Sequence, residues 1–317
     1  MKLVDLYRLA IKKGMGKDPR GAFGIKEEFK AARAEYNKAK GPDKKAFDKD
    51  SFTNPYADTR ILYGDPQREI NTVMVGIDME APEIIAADRL IERGVEVDLV
   101  MAHHPEGAAW AKFYDVMKLQ VAMFAKCGIP KEVGEALLKD RMGEVERAVA
   151  PANHFRAVDI ARLLDIPFMC VHTPADNHVA DYLQRLFDRK KPAKLSNVVS
   201  MLKAIPEYAD GLKKNAGPRV LIGSADKKAG RVFVDMTGGT EGPKKIFPRL
   251  SQAGIGTIVA MHLSEEHFRV AKDEHINVVI AGHIASDSLG LNLLLDEIEK
   301  SGKLNVIPAS GFVRISR

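Results

Sequence analysis

Three largely apolar runs of this chain each end in a histidine with a second ionisable side chain close behind. Val97 to Ala102 leads into His103-His104-Pro105, Ile166 to Val171 into His172-Thr173-Pro174-Ala175-Asp176, and Val278 to Gly282 into His283-Ile284-Ala285-Ser286-Asp287. Runs of this kind read as buried strands, and in α/β sheets ligands gather beyond the carboxyl ends of strands. Imidazoles and carboxylates in those places need a partner to offset their desolvation. The pattern therefore predicts a metal site assembled from three strand tips.

The intervening sequence supports an α/β fold. Thr72 to Ile77 reads as a strand, Asp78 as the cap of a following helix with Glu80 and Pro82 in its opening turn, and Gly94 as its stop. With Val97 to Ala102 this makes a β-α-β unit of parallel strands. Asn153 is expected to cap a helix through Leu164, and a helix from Val179 to Phe187 follows the second tip. Arg231 to Met236, Thr257 to Met261, Asn277 to Ala281 and Asn305 to Pro308 read as further strands. The expected architecture is two similar three-layer α/β lobes with an inserted helical region at about 106–153 and an N-terminal helical extension. Residues 1–66 are read as that extension plus a loop-rich connector, and residues 67–317 as the α/β domain. The halves share this grammar without a sequence repeat.

Length and charge narrow the class. The chain has 317 residues, 45% of them hydrophobic and 29% charged, enough for one large or two ordinary domains. No stretch of about 18 uncharged apolar residues is present, so no membrane span is expected. The charged start, Met1-Lys2-Leu3-Val4-Asp5, does not read as a secretion signal. Cys127 and Cys170 sit in apolar company and read as reduced core thiols of a cytoplasmic protein. The formal charge of +5 permits anionic substrates or nucleic acid without demanding either.

Imidazole and carboxylate donors suit Zn, Mn, Fe, Co or Ni, and the lack of clustered Cys argues against a structural thiolate site. Neighbouring histidines on an extended backbone point to opposite sides, so His103 and His104 fit a two-metal centre better than a closed single site. The remaining histidines read as structural. His262 ends a strand alone; His154, His267 and His275 read as surface residues; His178 could line the pocket. Thr237-Gly238-Gly239-Thr240 reads as a tight turn, with no G-x-G-x-x-G fingerprint beside it. No G-x-S-x-G is present, which leaves a serine hydrolase unsupported.

The double His-Pro, the His-Thr-x-x-Asp and the Gly-His followed four residues on by an acid occur here in the order found in the Nif-three-like family (NGG-one-interacting factor three), which the chain resembles over roughly 70–105 and 155–315. The resemblance implies a two-lobed α/β fold, a dinuclear metal site and a hexameric ring with its sites facing inward. It implies His103, His104, Asp176, His283 and Asp287 as ligands of two divalent transition-metal ions, and His172 as a catalytic or further ligating residue. Asp287 stands where the family carries glutamate, one methylene longer. Some members carry the label GTP cyclohydrolase type two-like. The expectation is a metal-dependent hydrolase of a small phosphorylated or nucleotide-like substrate, with metal-bound hydroxide as nucleophile. A non-catalytic metal-binding ring (a chaperone or scaffold) and a nucleic-acid-binding ring are the alternatives.

Overall fold

The computed structural model describes residues 1–317. Two sheets carry the architecture. The first contains β1 (Arg60–Tyr63), β2 (Thr72–Gly76), β3 (Leu99–Ala102) and β4 (Phe168–Cys170), together with the last strand of the chain; the second contains β5 (Arg219–Ile222), β6 (Arg231–Asp235), β7 (Ile255–Ala260) and β8 (Asn277–Ile280). The last strand, β9 (Asn305–Pro308), returns to pair with β2. The strand orders are β1-β4-β3-β2-β9 and β5-β8-β7-β6. In each sheet three successive strands run parallel, and the strand preceding them pairs antiparallel with the third.

The same order in both sheets is an internal duplication. It extends to local geometry. Asp165 and His275, just before β4 and β8, both adopt left-handed backbone, with φ of 52° and 57°. The next residue in each half donates back across the turn, Ile166 to the Ala161 carbonyl and Ile276 to that of Ala271. After the strand, each half places a histidine and, four residues on, an aspartate: His172 with Asp176, and His283 with Asp287.

The long helices that follow these strands, α9 (Thr173–Lys190) and α14 (His283–Glu299), pack on each other between the two sheets. Ala175, Leu291 and Leu295 share a buried cluster with Val73, Leu99 and Met101 of the first sheet. Val179, Leu183 and Leu289 share another with Val232, Val259 and Val279 of the second. The outer face of the first sheet is covered by α4 (Ala81–Glu92) and α8 (Arg156–Leu163), with Ile84, Ala87, Ala157 and Ala161 against Met74, Val100 and Phe168. The outer face of the second holds α12 (Phe247–Gln252) and α13 (Glu265–Asp273). Each lobe is therefore α/β/α, and the two share their middle helical layer.

Two readings of the sequence are corrected here. Residues 50–66 are more than a connector, because they contain β1, which completes the first sheet against β4. The cap of α4 is Glu80, locked by a reciprocal capping box with Glu83, and Asp78 is left free for other work. The N-terminal helix α1 (Leu3–Met15) buries Leu3, Leu6, Ala10 and Ile11 in the main core against α9 and α14. Helices α2 (Gly21–Lys38) and α3 (Gly41–Lys45) follow it.

The insertion at 106–153 is helical, comprising α5 (Gly107–Ala111), α6 (Gln120–Cys127) and α7 (Lys131–Val149). It spans the lobes. The Gln120 side-chain amide donates to the carbonyls of Gly238 (2.9 Å) and Thr240 (2.7 Å), and Arg141 donates to that of Glu241 (3.1 Å). The loop 237–242 of the second lobe is thus held by the first. Helices α10 (Leu195–Lys203) and α11 (Pro206–Lys213) bridge the halves and cover the inner face of the second sheet.

Candidate metal centre

The three predicted tips meet between the lobes. β3 delivers His103 and His104, the β4–α9 junction His172 and Asp176, and the β8–α14 junction His283 and Asp287. Ring centroids of His103 lie 5.3 Å from His104 and 4.8 Å from His172, and His104 lies 5.3 Å from His283. Donor atoms within 4.8 Å of one another form three sets: His103, His104, His172; His104, His283, Asp287; and His103, Asp176, Asp287. All six sequence-predicted residues are in this cluster.

The imidazoles are held from behind. His103 Nδ1 bonds the Val171 carbonyl at 3.2 Å, His104 Nδ1 bonds Asp78 at 2.6 Å, and His172 Nδ1 bonds Asp58 at 2.8 Å. Donation from Nδ1 fixes the tautomer and leaves the Nε2 lone pair facing the cluster, the arrangement by which proteins orient metal-binding histidines. Asp58 is fully buried and also accepts from Thr173 Oγ1 at 2.6 Å.

Donor-to-donor distances in the centre are long for hydrogen bonds. His103 Nε2 stands 3.4 Å from Asp176 Oδ1 and 3.5 Å from Asp287 Oδ1. Asp287 Oδ2 stands 3.6 Å from both His104 Nε2 and His283 Nε2. His103 Nε2, Asp176 Oδ1 and both oxygens of Asp287 are buried with no hydrogen-bond partner. Leaving such groups dry and unpaired is costly. Two bonds of about 2.0–2.2 Å at a tetrahedral angle would place donors roughly 3.3–3.6 Å apart. The spacing and the orphaned atoms fit a shared divalent cation, and the N/O donor set suits Zn, Mn, Fe, Co or Ni.

The electrostatics agree. Burial opposes a charge on His103, yet Asp287 and Asp176 push its imidazole up to about 10. Burial likewise opposes charge on His172, but Asp176 and Asp58 raise it above the ordinary histidine value. Burial would raise Asp287, and His103 overrides this to hold it below the usual carboxylate range. The buried carboxylates make a field that attracts positive charge.

The sequence reading missed several neighbours. Asp58 carries no motif that marks it, and Asp78 is read in the sequence as a helix cap rather than as a partner of His104. His267, read as a surface residue, is buried, bonding the Gly242 carbonyl at 2.8 Å and Ser264 Oγ at 2.7 Å. Glu241 accepts from Ser264 N at 2.6 Å and lies 3.6 Å from His262 Nδ1; burial works against this carboxylate, but His262 and Ser264 hold it at about 2. His262 stands at the mouth, its ring 4.9 Å from that of His283. Asp235, at the end of β6, lines the same cavity and is pushed up to about 6 by burial and Glu241. His178 faces away, bonding the Pro174 carbonyl and lining a different cavity. His154 bonds the Val149 carbonyl, and His275 is exposed. Both cysteines are buried and unpaired, and burial pushes their thiols up to about 11 for Cys127 and about 12 for Cys170.

Two consequences are open to measurement. Asp58→Asn keeps the shape but removes the charge behind His172, and is expected to weaken metal affinity by roughly 10–100-fold. A competition titration with a chromogenic chelator reads this, and an unchanged affinity would remove Asp58 from the support of the centre. Gly282 turns the chain from β8 into α14 at a φ of 110°, and a Cβ there would stand 2.5 Å from the Ala216 carbonyl oxygen. Gly282→Ala is expected to lower stability by about 1–3 kcal/mol, seen as a lower denaturation midpoint; an unshifted midpoint would show the turn relaxes freely.

Fold and site together define a two-lobed α/β protein with a buried histidine–aspartate cluster between its lobes. Among solved structures it matches a NIF3 superfamily protein from Sphaerobacter thermophilus with a TM-score of 0.69 at 24% identity, covering 90% of this chain and 97% of that one. The chain therefore has the NIF3-like fold that its three motifs predict. Other matches are reduced HcgD from Methanocaldococcus jannaschii (TM-score 0.46, 16% identity, 79% and 88% covered) and a Bacillus cereus protein related to NIF3 (0.40, 13%, 90% and 95%). No protein-family profile and no curated protein matches the chain. No helix is long and apolar enough to cross a membrane.

Proposed function

We propose that the cluster is a dinuclear centre for divalent transition-metal ions, and that the chain uses it to hydrolyse a small phosphorylated or nucleotide-like molecule. One observation carries the metal reading. The two orphaned oxygens of Asp287 face different partners, Oδ1 towards His103 and Oδ2 towards His104 and His283. A carboxylate so placed would bridge two ions, one held with His103 and Asp176 and the other with His104 and His283. Two bound divalent ions would supply Lewis-acid activation of water and of the leaving oxygen.

The protein's own groups would position and exchange protons around that chemistry. His172, with Nδ1 bonded to Asp58 and Nε2 3.6 Å from Asp176, is placed either to complete the ligand set or to take a proton at Nε2. The loop 237–242, pinned by Gln120, forms one wall of the cavity.

The test is elemental analysis of protein purified without added metal or chelator, followed by assay against phosphomonoesters, phosphodiesters and nucleotides. About two ions per chain with turnover, and loss of both in His104→Ala, is the expected outcome. Full occupancy in His104→Ala overturns the ligand assignment. Two ions per chain without turnover overturns the hydrolase reading and leaves a metal-carrying protein.

A further inference from the structure

A second cavity, of about 500 Å³, opens beside the centre and shares His262 and His283 with it. It lies between α11, β5 and the first turns of α14. The two faces of α14 divide the work. His283 and Asp287 point to the metal centre, while Ile284, Ala285 and Ser288, at helical spacing on the adjacent face, line this cavity.

Three features of the cavity ask for an anion. The N-terminus of α14, a helix of 17 residues, has no side-chain cap, and first-turn N–H groups have no partner within a helix. Ser288 is 2% exposed, lines the cavity, and its hydroxyl has no hydrogen-bond partner. Arg219, exposed on the edge strand β5, lines the opposite side; its backbone pairs with β8, while its guanidinium has no hydrogen-bond or ion-pair partner. The other charges around the cavity are already matched. Lys214 pairs with Asp210 at 2.7 Å, and Glu207 with Arg317 at 2.5 Å. The unmatched charge is therefore the Arg219 guanidinium. The rest of the wall is largely apolar, including Leu221, Met261 and Val313.

We infer that this cavity is a subsite for an organic anion, binding a phosphoryl or carboxylate group between Arg219, Ser288 and the start of α14 while the apolar wall receives its carbon body. The inference rests on the proposed metal centre only for what happens at the other end of the ligand, which would reach the centre past His283. Guanidinium and hydroxyl donors are complementary to such anions, and charge-assisted bonds of this kind are among the strong ones.

Calorimetric titration of the full-length chain with phenylphosphonate, as purified and after chelator treatment, tests it. The expected result is binding that survives chelation, at least about 10-fold weaker in Arg219→Gln and roughly 3–10-fold weaker in Ser288→Ala, with metal content unchanged in both variants. Ser288→Ala removes one oxygen from a buried site and should fold normally, so it guards against misfolding as the cause. Wild-type affinity in both variants overturns the subsite. Binding abolished by chelation also overturns it, since the anion would then sit on the ions. Inorganic phosphate binding as tightly as phenylphosphonate overturns the assignment to an organic anion. A chain that binds phenylphosphonate here but holds no metal would instead overturn the dinuclear reading and leave the subsite standing.

Discussion

Asp287→Ala is expected to strip the chain of its metal. Asp287 is the one residue whose two oxygens, both buried and unpartnered, reach donors on opposite sides of the centre. Removing it takes a ligand from each proposed ion and also removes the charge that holds His103 high. Loss of a mere outer hydrogen-bond partner lowers metal affinity by about 10–100-fold, and loss of a shared ligand should exceed that. Elemental analysis should fall from about two ions per chain to near none. Asp287→Glu keeps a carboxylate here, one methylene further out, and should keep the metal. An Asp287→Ala chain that retains both ions would sink the bridging role.

Metal removal is expected to destabilise the wild-type chain as a whole. The centre joins β3, α9 and α14, elements from both lobes, so an ion bound there acts as a cross-link of the tertiary structure. At free metal about 100-fold above Kd, each ion adds about 2.7 kcal/mol to the stability of the folded state. For two ions in a chain of this size that converts to a drop in Tm of roughly 5–10 °C on chelation, reversed by adding metal back. The same chelation should leave the Tm of Asp287→Ala unmoved. Equal wild-type Tm with and without chelator would mean the cluster binds no stabilising ion.

Much of the site was legible because each of its parts is a local pattern. An apolar run that ends in His-His, or in His followed four residues on by Asp, announces a strand tip and the first turns of a helix, and the structure brings all three tips together. The repeated His-x-x-x-Asp after β4 and β8 was also the visible trace of the internal duplication, too short to stand as a sequence repeat. The misread histidine has the opposite character. His267 and Glu241 are fixed by each other's neighbourhood, through Ser264 and the Gly242 carbonyl, and nothing in the spacing of a short helix marks a buried histidine.

The sequence by itself determined the α/β class, the strands that bear the chemistry and the six side chains that converge. Those follow from hydrophobic periodicity and from residue chemistry within a few positions, where local sterics and burial leave little choice. Only the tertiary structure decided what holds them. Asp58 reaches His172 across 114 positions, and Asp78 serves His104 because Glu80 took over the capping of α4. The placement of β1 and α1 in the common core and the pinning of loop 237–242 by Gln120 are likewise contacts between distant segments. Such contacts arise from packing and hydrogen-bond satisfaction in three dimensions, and a partner chosen by fit across the fold leaves no period or spacing along the chain.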